Sequence, residues 1–425
     1  MASYLEMNKQ ELKIAYTLAD EAYNKCLNEH LKLDMSRGKP GKEQLEIVSG
    51  LFSVLQTGAD CVDDGIDARN YGELAGLPCA RRYWAEILGC RENEVFVGGN
   101  SSLNLMYDVI SKAYTHGLIH SPRPWGREET VKFLCPCPGY DRHFRITESF
   151  GAELVPVAMT PDGPDMHQVE ELIQDPAVKG IWCVPKYSNP DGIIYSDETV
   201  RRFSQLRPAA PDFTIMWDNA YCVHEFDGDF IEFPDIISMC AEAGNEDMVF
   251  EFASTSKVTL PGSGISALAA SEENIRYMSK LLGVQIISYD KVNQLRHVRF
   301  LKDKKHTLEL MRQHAQVLRP KFAMVSDTLE QEIAPLEIAS WNRPKGGSFV
   351  SLNAYPGTAK RTLELCAQAG VVMTPAGATF PYGEDPKDSN IRIAPTLPSV
   401  EELEKAMRVL CVSLRLAALE KLLND

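Results

Sequence analysis

Apolar runs that each end in a polar residue recur along this chain, separated by stretches with helical spacing, and this alternation constrains the fold more than any other feature. "EVFVGGN" (94–100), "VKFLC" (131–135), "GIWCVP" (180–185), "FTIMWD" (213–218) and "MVFEFAS" (248–254) carry little polar alternation along their length. Strands of that kind are covered on both faces, so the expected fold is α/β, with a large domain built on a mainly parallel sheet between helices. Ligands of open parallel sheets sit beyond the carboxyl ends of the strands, which makes the residues just after each run the functional candidates.

A chain of 425 residues with 44% apolar content is long enough for two cores of ordinary size. The texture changes near residue 305, where charged helical stretches lead to one more strand, "GGSFVSL" (346–352), and to a last helix opened by a Ser399–Glu402 capping box. The expected division is an N-terminal arm and part of a small domain over 1–50, the large domain over 51–305, and a small α+β domain over 306–425. Leu12, Tyr16, Ala19 and Tyr23 form the apolar stripe of an N-terminal helix, and Leu103, Met106, Tyr107 and Ile110 that of a helix opened by Ser101 and Ser102.

Lys plus Arg total 44 against 59 Asp plus Glu, a net charge of −15, which gives no basic surplus for nucleic acid or an anionic membrane. The 11 cysteines include no C-x-x-C pair, and no run reaches membrane-spanning length. A cytoplasmic protein with reduced thiols is expected. His116 and His120 have the spacing of two metal ligands on a helix, but Gly117 and "SPRPWGR" predict a helix end there, so no metal site is expected.

Three strand ends concentrate polar chemistry. In "STSKVTLPGSG" (254–264), Lys257 stands among three hydroxyls and before a glycine-rich loop, groups that can hold an anion beside an amine suited to Schiff-base chemistry. "DNAY" places Asp218 and Tyr221 at the end of the preceding strand, where a buried carboxylate could hold a pyridine nitrogen protonated. "YSNPDG" (187–192) reads as a turn whose Asn189 could donate to a ring oxygen.

With "CPGYDRH" and "NIRIAP", these motifs occur in the order and at the intervals found in fold-type I pyridoxal-phosphate aminotransferases. The chain resembles their class I, aspartate aminotransferase-like members, and more narrowly a divergent branch often labelled MocR-like, from about residue 30 onward. The resemblance implies a seven-stranded sheet in the cofactor-binding domain, pyridoxal 5′-phosphate, and a homodimer with a shared active site. It implies ping-pong transfer of an amino group between an amino acid, with aspartate or glutamate expected, and a 2-oxo acid. Lys257 would join the cofactor and shuttle the proton, Asp218 would meet the pyridinium, and Asn189 and Tyr221 the phenolic oxygen. Tyr140 would stack on the ring; Ser101, Ser102, Ser254 and Ser256, with Tyr71 from the neighbouring subunit, would hold the phosphate; Arg392 and Gly38 would line the α-carboxylate site.

Two departures stand out. Class I members place an arginine a few residues beyond the lysine to neutralise the phosphate, whereas this chain has Gly264 there and a loop one residue shorter. No cation falls on the position that reads a substrate's distal carboxylate; Arg37, Lys39, Lys186, Lys291, Arg296 and Arg299 are candidates, with Arg37 and Lys39 favoured because they flank Gly38. The alternatives are another carbanion enzyme using the same cofactor, such as a β-lyase or decarboxylase, and a non-catalytic ligand-sensing module.

Overall fold

The computed structural model describes residues 3–424. Its main sheet has eight strands in the order Val95–Gly98, Ser266–Ala270, Val249–Ser254, Thr214–Asp218, Val178–Cys183, Lys132–Cys137, Glu153–Thr160 and Gly163–Pro164. The last is a two-residue hairpin return, so the expected seven strands gain a short antiparallel edge. Ser266–Ala270 runs antiparallel to both neighbours, and the six remaining strands share one direction, so their carboxyl ends meet along one edge.

Successive side chains point to opposite faces, and each face is buried. Ile215 and Trp217 enter one apolar cluster while Met216 between them enters another; Val249 and Ala253 are likewise separated from Phe250 and Phe252. Double burial is why these strands read as unbroken apolar runs. The helix Ser102–Thr115 packs through Leu105, Met106, Val109, Ile110 and Ala113, whereas Tyr107 is exposed. The expected stripe was therefore rotated: Met106 and Ile110 belong to it, Tyr107 does not.

Glu251 interrupts this core. It is buried, its Oε1 accepts from Asn219 Nδ2 at 2.8 Å, and burial pushes its carboxyl up to about 8. The folded chain thus keeps a proton there that the unfolded chain releases near the ordinary glutamate range, so this group's stabilising contribution is present at low pH and is lost as pH rises toward 8. Glu251→Gln, which preserves the accepted hydrogen bond without a titrating proton, is expected to raise Tm by about 1–3 °C at pH 8 and to leave it unchanged at pH 4.5. Thermal scans at the two pH values check this.

A second core lies beside the first. The N-terminal helix Lys9–Leu27 buries Leu12, Ala19 and Tyr23 in the same cluster as Leu410 and Leu414 of the C-terminal helix Val400–Asn424. Leu33–Met35 pairs in parallel with Val371–Met373, and Ala339–Trp341, Val350–Ala354 and Asn390–Ile393 form an antiparallel sheet. The helix Lys304–Glu332 joins the two, giving Met311 to the first core and Phe322, Val325 and Leu329 to the second. The Ser399–Glu402 capping box forms, with Ser399 N donating to Glu402 Oε2 and Glu402 N to Ser399 Oγ.

Among the described residues no helix is long and apolar enough to cross a membrane, and no cluster could hold a metal ion. His116 caps the helix that ends at Thr115, and His120 turns to Asp247 at 2.9 Å.

Candidate active site

A cavity of about 670 Å³ opens where the carboxyl ends of the parallel strands face the second sheet. Lys257, Asp218, Tyr221, Tyr140 and Asn189 line it from the large sheet; Phe349 and Arg392 line it from the small one. The segment Ser36 to Lys39 completes the wall with Arg37 and Gly38.

Asp218 ends its strand almost fully buried, and its two oxygens differ. Oδ2 lies 2.9 Å from His143 Nε2, whereas Oδ1 has no hydrogen-bond partner among the described residues. His143 is itself fixed by stacking on Trp182 at 4.4 Å between centroids, and Tyr140 meets it edge-on at 4.9 Å. A buried carboxylate oxygen without a donor is costly, so the site is built to receive one.

Arg392 is buried, yet it is held from several sides. Its Nη1 donates to Asn189 Oδ1 at 3.1 Å and lies 3.3 Å from Asp141 Oδ1, its Nε donates to Thr374 Oγ1 at 3.3 Å, and the guanidinium lies over the Phe349 ring at 4.7 Å. Asn189 thereby spends its carbonyl on Arg392 and keeps its amide N–H groups for another acceptor. One residue links the two halves of the cavity.

Lys257 stands just past the strand Val249–Ser254, in a turn closed by Val258 N and Thr259 N donating to Thr255 O. Its Nζ lies 4.5 Å from the centroid of the Tyr221 ring. Burial pulls the ammonium's pKa down, but the phenols of Tyr221 and Tyr140 and the Asp218 carboxylate outweigh it, and the net direction is upward. His224, edge-on to Tyr221 at 5.5 Å, is driven well below the usual histidine range by burial first, with Lys257, His314 and Lys186 adding to the effect. It lies behind the cavity wall and does not line it.

The four serines named above do not line this cavity but gather beside Lys257. Ser254 and Ser256 hydroxyls are 2.9 Å apart, and Ser256 Oγ donates to Asn100 O at 3.4 Å. Ser101 is the N-cap of the Ser102–Thr115 helix, yet its side chain makes no capping bond, so the first amides and that hydroxyl remain available to an anion. Gly264 closes the neighbouring loop: a Cβ there would lie 2.8 Å from Thr255 Oγ1 and 3.1 Å from Leu260 O, which explains why the position carries no arginine. Arg296 reaches this loop from the helix Lys291–Leu301, its Nη2 donating to Ser263 Oγ at 2.9 Å.

The candidate cations separate. Lys186 is buried and engaged by Glu225 Oε1 at 2.5 Å and by the carbonyls of Cys222 and Ile231, which exhausts an ammonium's three donors. Lys291 donates to the carbonyls of Asn70 and Gly72, and Arg299 to that of Val62. Of the six, only Arg37 and Lys39 line the cavity, both exposed, with Lys39 3.8 Å from Asp34. Tyr71, between the two carbonyls that Lys291 holds, is 81% exposed.

Sequence reasoning missed two features of the wall. The His143–Asp218 contact joins residues 75 apart and left no mark beyond a histidine near a motif. Arg142 and Arg145 also line the cavity, and their only signal was their place on a helix directly following Tyr140.

Residues 7–425 match the aspartate amino-transferase family. The chain is 45% identical over 402 residues to the aspartate aminotransferase of Corynebacterium glutamicum, covering 95% of this chain and 93% of that protein. It superposes on the crystal structure of an aspartate transaminase from the same organism with a TM-score of 0.96, at 43% identity and 99% coverage of each. The α-aminoadipate aminotransferase LysN of Thermus thermophilus, solved with N-(5′-phosphopyridoxyl)-L-leucine, shares the fold at a TM-score of 0.73 and 22% identity over 93% of this chain and 95% of that one. By sequence and by fold, the chain belongs to the aspartate aminotransferase family of fold-type I, pyridoxal phosphate-dependent enzymes.

Proposed function

We propose that this protein transfers the amino group of aspartate or glutamate to a 2-oxo acid by two half-reactions, as a homodimer. The observation that carries the reading is the shared cavity: an amine at Lys257, an unpartnered carboxylate oxygen on Asp218 and a buried guanidinium on Arg392 face one space. These groups fit pyridoxal phosphate, which when bound supplies an electron sink for the pair left on a substrate α-carbon.

The chain's own residues have the following parts in this reading. Lys257 is the point of covalent attachment and, once displaced by substrate, the base that moves the α-proton. Asp218, oriented by His143, keeps a proton on the pyridine nitrogen through Oδ1. Tyr221 and the amide of Asn189 would hold the cofactor's phenolic oxygen, and Tyr140 would pack against its ring. The Ser101 and Ser102 amides and hydroxyls, with Ser254 and Ser256, receive the phosphate, and Arg296 supplies positive charge at the adjoining turn. Arg392 clamps the substrate α-carboxylate with a planar fork, and Gly38 leaves room beside it.

Dimerisation is supported by the surface around Tyr71. Val284 and Ile287 are exposed apolar residues on the segment leading to Lys291, and that lysine holds the Tyr71 loop. An apolar surface of this kind suits a second copy, into whose site Tyr71 would reach.

Spectral titration of the purified holoenzyme tests the function. Aspartate or glutamate is expected to convert the cofactor's absorption to the amine form, and oxaloacetate or 2-oxoglutarate to restore it. Release of ammonia and pyruvate without an amino acceptor would instead identify a lyase.

A further inference from the structure

Arg142 and Arg145 occupy positions 2 and 5 of the helix Asp141–Ser149, one turn apart on adjoining faces, and both line the cavity that holds Lys257 and Arg392. Neither has an ion pair or hydrogen bond among the described residues. Their surroundings differ. Arg145 is exposed and hydrated, whereas Arg142 is half-buried, so its charge has lost part of its water without gaining a protein partner. The one carboxylate next to it in sequence, Asp141, is turned to Arg392. An unpaired, partly desolvated guanidinium in a cavity wall is favourable only when an anion arrives to meet it.

We propose that Arg142 is the specificity-determining residue that reads the distal carboxylate of the substrate, from the same chain that supplies Lys257 and Arg392. The assignment rests on the transaminase reading above and deepens it. Arg392 reaches the cavity from the small sheet and Arg142 from the helix Asp141–Ser149, so a substrate with carboxylates at both ends is gripped by both. The remaining cations cannot compete: Lys186, Lys291, Arg296 and Arg299 are engaged elsewhere, and Arg37 and Lys39 keep their water. A distal cation lent by the neighbouring subunit is then unnecessary, although the phosphate site still gains Tyr71 from it.

Single-turnover half-reactions of the holoenzyme with aspartate and with its neutral isostere asparagine separate the possibilities. In the wild type, aspartate is expected to react with kcat/KM about 10²-fold above asparagine. In Arg142→Ala that preference falls to within about threefold, chiefly through a raised half-saturating concentration for aspartate, because the anion loses its fork in substrate and transition state alike. Arg142→Lys, which keeps a charge on a flexible stem, is expected to retain an intermediate preference and guards against a folding defect in the alanine variant. Arg145→Ala should keep the wild-type ratio. If Arg142→Ala and Arg142→Lys both keep the wild-type ratio, or if Arg145→Ala abolishes it, the assignment to Arg142 is overturned. A wild-type holoenzyme that reacts with neither amino acid would instead refute the transaminase reading itself, a result distinguishable before any variant is made.

Discussion

Replacing Lys257 with alanine is expected to lower the single-turnover rate with aspartate by at least about 10⁵-fold while leaving the fold intact. The size follows from the two duties assigned to one amine, attachment and proton transfer, with no second amine lining the cavity among the described residues except the exposed Lys39. The fold should survive because Lys257 contributes a contact to the Tyr221 ring and no buried ion pair. Cofactor-loaded K257A, followed by absorbance after adding aspartate, gives the rate, and a thermal scan checks the fold. The wild type carries a pH signature that the variant must lack. Lys257 is held above the ordinary lysine range, so the neutral amine becomes scarcer at neutral pH, and attachment of added cofactor to cofactor-free protein should accelerate as pH rises. A variant retaining covalent attachment would show that another amine does the chemistry.

Asp218→Asn is expected to produce the next largest loss, about 10³-fold in the same half-reaction, with little change in Tm. Asparagine is isosteric and can still accept from His143, so the local packing and the contact at Oδ2 are preserved. It cannot carry the negative charge that holds a pyridine nitrogen protonated, and it can turn an amide N–H group toward that nitrogen instead. The oxygen facing the cavity has no partner to lose, which is why stability should be almost unaffected. A drop of less than tenfold would mean that Asp218 orients His143 rather than tuning the cofactor.

The parts of the site that follow immediately after a strand were legible in the sequence, because a strand end fixes position: Asp218, Lys257 and Asn189 each stand within a few residues of an apolar run, and the fold brings them to one edge. Ser266–Ala270 escaped notice because "SALAA" is short, built mostly of small residues and buried on both faces, so it has neither alternation nor β-branched side chains to mark it. Glu153–Thr160 was obscured by Pro156 and by a half-exposed pattern. Contacts between distant residues left no trace at all: Lys186 reads as a free cation until Glu225 and two carbonyls are placed around it, and Arg296 gives no hint of Ser263. Arg142 was hidden for the opposite reason. It is only two residues from Tyr140, but the difference between a solvated arginine and one facing a cavity is a matter of helix phase, which one sequence does not specify.

The crowding at Gly264 has a consequence for how such a site can change. A side chain there would press on Thr255 Oγ1, and that hydroxyl accepts the amide of Ile265 at 3.0 Å, so the glycine and the threonine are locked together. An arginine at 264 would press on Thr255 in the turn that holds Lys257. A smaller residue at 255 would relieve only part of this crowding, because the Leu260 carbonyl also lies 3.1 Å from the same Cβ position. Positive charge beside this loop is instead carried on a separate helix, at Arg296, so it is supplied without a side chain at 264 pressing on the turn around Lys257.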